Sequence, residues 1–237
     1  MKKFFNQVCD LIGVELTSVQ LDLFALYEQD LLIWNERINL TAIREPESIR
    51  TKHFLDSLTC AFAWQGSPPP QNLIDIGTGA GFPGIPLKIL LPDLQLTLVE
   101  SVGKKADYCR HLVETLHLQD VDVINARAEE VGVHPAHREK YDVAVARAVA
   151  RMNILAEYLL PLVHPGGLTI AQKGNTALAE GRQSNRAVTI LGGTIRPLIT
   201  VTLPGLSEPR YLVILDKIKP TPPNYPRRVG VPARKPL

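Results

Sequence analysis

The chain has 237 residues, 45% of them hydrophobic and 21% charged, enough for one large α/β domain or a medium one with a small attachment. Its three cysteines, Cys9, Cys60 and Cys109, are odd in number and scattered, which points to neither a disulfide framework nor a zinc cluster. No apolar run is long enough for a membrane span, and none follows Lys2 and Lys3 as in an export signal, so an unexported, cytoplasmic protein is expected.

In the N-terminal segment, residues 1–65, Leu23, Tyr27, Leu31 and Trp34 recur at helical spacing and predict a packing helix from Val19 to Trp34. Pro46 opens a second helix whose buried face is Ile49, Phe54, Leu58, Ala61 and Phe62. His53 and Asp56 lie three apart and project from one side of it, either as a surface pair or as a polar feature near a ligand. Gly66-Ser67-Pro68-Pro69-Pro70 then stops the helix as a stiff connector, because proline lacks the amide donor and disfavours helical geometry before it.

Residues 71–217 read as alternating strands and helices. Leu73, Ile74 and Ile76 form a short apolar run of the kind buried on both faces, and the turn Gly77-Thr78-Gly79-Ala80-Gly81-Phe82-Pro83-Gly84 follows without a gap. Glycine at Gly77 and Gly79 allows positive φ and a close approach of ligand to main chain, and a helix beginning near Gly84 would aim free N–H groups at that ligand. Phe82 stands where a strict dinucleotide fingerprint has its third glycine, and no Gly-Lys-Ser/Thr follows as in a P-loop. Asp75 before the turn and Glu100 at the end of the next strand, Leu94 to Glu100, suit a cofactor with an amine-bearing tail and a ribose, namely S-adenosylmethionine.

A helix from Gly103 to Leu116 leads to a third strand, Val121 to Ile124, and to a strand-end loop, Asn125 to Glu129, able to hydrogen-bond an adenine edge. The fourth strand, Tyr141 to Ala146, delivers Arg147 to the same rim, its forked guanidinium suited to phosphate or carboxylate. After a helix from Met152 to Val163, a fifth strand, Leu168 to Gln172, ends in Lys173, and Ala177 to Leu191 is a basic helix. Two last strands, Ile195 to Leu203 and Arg210 to Lys217, have no long helix between them and predict an antiparallel hairpin, closing a seven-stranded, mostly parallel sheet. Residues 217–237 hold six basic residues and no acidic one, leaving −4 for the rest (20 basic minus 24 acidic), the mark of a solvated tail or of a polyanion contact.

Several segments together resemble the bacterial ribosomal RNA small subunit methyltransferase G family, also called glucose-inhibited division protein B. They are Trp34-Asn35 with Asn39-Leu40-Thr41, His53 with Asp56-Ser57-Leu58, the turn from Asp75 to Pro86, Glu100-Ser101 with Lys104-Lys105, Ala146-Arg147-Ala148, Lys173-Gly174, and the tail Tyr225 to Gly230 with Pro236-Leu237. The resemblance implies a Rossmann-like class I methyltransferase core, residues 71–217, with an N-terminal helical extension, and the prolines of residues 219–236 are expected to hold the basic tail, residues 218–237, extended across that core beside the cofactor rim. It implies transfer of a methyl group from S-adenosylmethionine to N7 of a guanine in small-subunit (16S) ribosomal RNA. By position, the cofactor contacts are Gly77, Phe82, Glu100, Ser101, Val102, Ala128, Glu129 and Arg147, with Gly79 in the same turn. Arg127, Arg151, Lys173, Arg227 and Arg228 are further candidates for contact with the RNA or the ribosomal subunit.

Guanine N7 carries a lone pair and no proton, so its attack on a sulfonium methyl needs no general base and no metal; alignment alone can supply about 7–11 kcal/mol. A catalytic side chain is therefore not expected, RNA affinity should come from phosphate contacts, and a monomer suffices. The alternatives are an NAD-dependent oxidoreductase, a non-catalytic RNA-binding protein with a vestigial turn, and a methyltransferase acting on a small metabolite or a protein.

Overall fold

The computed structural model describes residues 1–237. Strands β1 (Asn72–Ile76), β2 (Gln95–Val99), β3 (Val121–Ile124), β4 (Tyr141–Arg147) and β5 (Val163–Lys173) pair in parallel in the order β3-β2-β1-β4-β5, and β8 (Arg210–Lys217) lies antiparallel beside β5. Between the parallel strands run α5 (Gly84–Leu90), α6 (Gly103–Thr115), α7 (Ala128–Val133) and α8 (Met152–Leu159), and α9 (Ala177–Ile190) follows β5.

The expected sixth strand, Ile195 to Leu203, is cut in two, so the sheet has eight strands. β6 (Gly193–Ile195) and β7 (Ile199–Val201) both pair with β8, and the register slips by one residue between Ile195↔Leu215 and Ile199↔Leu212. Pro197, which has no N–H to give to the ladder, sits in the gap. Arg196 keeps the break ordered: its amide donates to Ile214 O and its guanidinium to the Asp216 carboxylate and Ala63 O.

Strand side chains alternate between two apolar layers, as the period of two demands. Leu73, Leu96, Leu98, Val143 and Val145 face the layer that holds the N-terminal helices, α5 and α6; Ile74, Ile76, Val99, Ala144 and Ala146 face the layer of α8 and α9. The N-terminal residues thus share one core with the sheet. In α1 (Lys2–Ile12), Phe4, Val8 and Ile12 are buried; in α2 (Ser18–Asn35), Phe24, Tyr27 and Leu31 are. α2 opens with a capping box, Thr17 with Gln20, and the Gln20 amide continues to Ile89 O and Leu90 O, capping the end of α5.

The helix expected after Pro46 runs to Trp64, but with changing pitch. An α turn, α3 (Pro46–Ile49), widens into a π segment, Arg50–Leu55, returns to α4 (Asp56–Leu58) and tightens to a 3-10 segment, Thr59–Trp64. Such π segments recur at functional sites, and this one carries Lys52 and His53.

Candidate active site

The glycine turn is braced from beneath by Asp75. Its carboxylate is fully buried, and Oδ2 accepts from the Thr78 hydroxyl at 2.7 Å and from the Gly84 amide at 2.9 Å. Burial raises its pKa to about 6 against the opposing pull of those two donors. Asp75 Oδ2 therefore ties the turn to α5, while Oδ1 has no hydrogen-bond partner within the protein. Gly77, Gly79 and Gly81 have φ of 69°, 62° and 96°, and the amides of Gly77 and Thr78 both donate to Val99 O. From the N-terminal layer the Tyr27 hydroxyl donates to Ala80 O at 2.6 Å. Glu100 leaves β2 beside the turn, where Oε2 accepts from the Gly79 amide at 2.9 Å and Oε1 from the Val102 amide at 2.8 Å. Each oxygen retains a lone pair for a further donor.

Two hollows meet at Gly77. The smaller, about 80 Å³, is an apolar slot between Ile76, Val99, Ala126 and Ala128, edged by Ser101, Arg127, Glu129 and Tyr158. Four residues of the sequence expectation line it, Gly77, Ser101, Ala128 and Glu129; Gly79 lines the larger hollow, and Glu100 is tied to the Gly79 and Val102 amides. Glu129 lies on the first turn of α7, a short helix not foreseen from the sequence, and its carboxylate is buried. Beside it stands Tyr158 of α8, whose hydroxyl pKa is pushed up to about 12 by burial and by the Glu129 carboxylate.

The larger hollow, about 480 Å³, opens on the other side of the turn between the N-terminal segment and the tips of β4, β5 and β8; Thr41, Lys52, His53, Asp56, Phe82, Lys105, Arg147, Gln172 and Arg210 are among its walls. Arg147 is the hub, donating to Lys52 O at 3.1 Å and to Asp56 Oδ2 at 3.0 Å, with His53 Nδ1 3.2 Å away. Its guanidinium lies 4.8 Å from the centre of the Phe82 ring. Phe82 itself stacks with His53 at 4.6 Å and with Tyr27 at 5.3 Å and is only 5% exposed, so it is a wall element and offers no free aromatic face. Burial, and then the Arg147 cation, lower the His53 pKa to about 3, so the ring is neutral; with Nδ1 facing Arg147, Nε2 is left to donate to Thr41 Oγ1 at 2.7 Å. Asp56 is shifted upward by burial despite Arg147. Asp56 Oδ1, Gln172 Oε1 and Arg210 Nε have no hydrogen-bond partner within the protein.

The cations expected to reach RNA divide into two groups. Arg127, Arg151 and Arg228 are exposed and form no ion pair. Lys173 and Arg227 are already committed: Lys173 Nζ is 2.8 Å from Glu180 Oε2 and donates to Ala150 O, and Arg227 grips Glu157 through Nε and Nη2. Lys52 and Arg210 also line the larger hollow, although the sequence reading names neither as a contact. They reach the hollow through a π turn and through the antiparallel strand. No group of three His, Cys, Asp or Glu side chains could hold a metal ion, and no helix is long and apolar enough to cross a membrane.

A parallel sheet with one antiparallel strand inserted beside β5, and a glycine turn after β1 flanked by an acidic strand end, defines a Rossmann-like class I methyltransferase, an enzyme that uses S-adenosylmethionine. The profile described as GidB, rRNA small subunit methyltransferase G, matches residues 20–202, and the chain belongs to this family. The ribosomal RNA small subunit methyltransferase G of Roseiflexus sp. (strain RS-1) is 52% identical over 225 residues, 95% of each chain. That of Alkaliphilus metalliredigens (strain QYMF) is 44% identical over 236 residues, 100% of this chain and 98% of the relative. Among solved structures, the 16S rRNA (adenine(1408)-N(1))-methyltransferase of Catenulisporales acidiphilia with its cosubstrate SAM superposes with a TM-score of 0.51 at 14% identity, covering 64% of this chain and 87% of that one. TrmN from Thermus thermophilus gives 0.52 at 18% identity over 71% of this chain and 53% of its own, a likeness of fold.

Proposed function

We propose that the chain transfers a methyl group from S-adenosylmethionine to N7 of a guanine in small-subunit ribosomal RNA, acting in the cytoplasm as a monomer on the RNA or the subunit that carries it. The observation that carries this reading is the meeting, at Gly77, of an apolar slot edged by the Glu129 carboxylate with a cation-lined hollow. The slot suits an adenine between Ile76, Val99 and Ala128, with the Glu129 carboxylate to receive the 6-amino group. Glu100, already oriented by two loop amides, has a lone pair on each oxygen for the ribose hydroxyls. Ser101 and Val102 line the approach, and Gly77 and Gly79 let the main chain pass beneath.

When bound, the cofactor supplies an electrophilic methyl on a sulfonium. The residues of the larger hollow bind and orient the acceptor base, and Lys52, Lys105 and Arg210 around it face phosphates. Arg147 and Phe82 form part of the wall of the larger hollow, where Arg147 orders Lys52, His53 and Asp56 rather than moving a proton. His53 is neutral, a weak base, and engaged through both nitrogens. That supports an acceptor such as guanine N7, which has no proton to lose.

The test is incubation of the protein with labelled S-adenosylmethionine and either naked 16S RNA or small subunits lacking the modification, followed by nucleoside analysis. Label in 7-methylguanosine is expected. Label in another nucleoside would overturn the N7 assignment, and RNA binding without transfer would favour the vestigial-turn reading.

A further inference from the structure

The C-terminal tail is a built strap tied to the cofactor slot. After β8, Arg138 gathers it with one guanidinium: Nη1 donates to Tyr225 O at 2.6 Å, and Nη2 to Thr221 O at 2.7 Å. Pro226 packs on Gly132 of α7 so closely that a Cβ at Gly132 would stand 2.8 Å from Pro226 Cγ. Arg227 then meets Glu157 of α8 with three donors, its amide at 2.8 Å, Nε at 2.9 Å and Nη2 at 2.6 Å, on a carboxylate with no solvent exposure. Three residues on, Gly230 takes left-handed geometry, φ 77°, which turns its amide onto Glu129 Oε1 at 2.8 Å. Glu129 is the acidic edge of the slot, 5% exposed, and this is the one main-chain donor on its side chain.

A glutamate has three side-chain torsions, and a carboxylate this buried needs a hydrogen-bond donor to hold it where it stands. The donor here arrives from 101 residues further along the chain, delivered by a clamp whose anchoring carboxylate, Glu157, is next in sequence to Tyr158, the other polar edge of the slot. Arg227 is thereby explained as an anchor. From this geometry we infer that the strap, through the Arg227–Glu157 clamp and the Gly230 amide, positions Glu129 to read the 6-amino group of the cofactor's adenine. Residues 227–230 are thus positioning residues for cofactor specificity. The inference rests on the proposed role of Glu129 and adds the element that fixes it.

The experiment measures binding of S-adenosylhomocysteine and of its analogue with hydrogen in place of the 6-amino group, by calorimetry. The proteins compared are the full chain, Arg227→Gln, and a chain ending at Pro226, each checked for cooperative melting. The full chain should bind the amine-bearing ligand about tenfold more tightly, the scale of one charge-assisted hydrogen bond. In the variants that ratio should fall toward one while affinity for the analogue stays the same, and Arg227→Lys should restore part of it. Equal weakening toward both ligands would mean a merely structural strap and would overturn the inference, as would an unchanged ratio in the variants. No discrimination by the full chain would instead remove the Glu129 reading itself. Should the truncated chain fail to melt cooperatively, Arg227→Gln and Arg227→Lys decide.

Discussion

Asp75 and Glu100 are two acids on the tips of neighbouring strands, and their surroundings give them different work. Asp75 is sealed, holding Thr78 and Gly84, with a pKa raised to about 6 from 3.8. Folding therefore takes up a proton between those two values, so the unfolding free energy falls as pH rises from about 4 to about 6, by about 3 kcal/mol for this group alone. Asp75→Asn keeps an acceptor for both donors and removes the charge. Urea denaturation between pH 4.5 and 7.5 should show a flatter stability profile for the variant; parallel profiles would mean that Asp75 is ionised throughout. Glu100 is held by two amides yet keeps a lone pair on each oxygen. Glu100→Ala should weaken binding of S-adenosylmethionine by about 10- to 100-fold, and Glu100→Gln by less, since its amide oxygen still accepts. Unchanged affinity in a calorimetric titration would remove the ribose role. The sequence places both acids at strand ends by counting, but which one is taken up beneath the turn depends on where the Thr78 hydroxyl and the Gly84 amide point.

Most elements with a period are legible in the sequence, whereas elements defined by a break are not. The buried strands β1, β2 and β4 follow from runs such as Leu73-Ile74 and Val143-Ala144-Val145, short and bounded by turn signals as strands sandwiched between layers are. The α1 stripe, Phe4, Val8 and Ile12, was present in the sequence at helical spacing and was not read. The π segment at Arg50–Leu55 leaves no such trace, since the same residues satisfy an α pattern, and the division of β6 from β7 depends on a one-residue slip that Pro197 permits but does not announce. The Asp56–Arg147 pair links residues 91 apart and could not be matched by spacing. Packing at an element's start is more readily tested. A Cβ on Gly84 would stand 2.7 Å from Leu98 Cδ2 and 3.0 Å from Asp75 Oδ2, the group that braces the turn. Gly84→Ala should cost about 1–3 kcal/mol through overpacking of the joint between turn and helix. An unshifted midpoint in chemical denaturation would show that α5 can move away freely.

At the scale of the molecule, net charge is a poor guide to where a polyanion would lie, because cations that look alike in sequence are spent differently. Arg227 and Lys173 each face an acid inside the fold, Glu157 and Glu180, whereas Arg151 and Arg228 stand exposed without one. A phosphate contact releases condensed counterions, so each one steepens the fall of log affinity against log salt by about 0.7–0.9. Replacing Arg151 and Arg228 together with glutamine should therefore make that slope shallower by roughly 1.5 for 16S RNA while leaving the melting temperature in place. Arg227→Gln should do the opposite: with Glu157 fully buried and stripped of its partner, stability should drop by about 3–5 kcal/mol, with little direct change in the slope. Filter binding across a salt series, with a thermal melt of each variant, separates the two behaviours. Should the double variant keep the full slope, the RNA would run instead over the hollow's own cations, Lys52, Lys105 and Arg210.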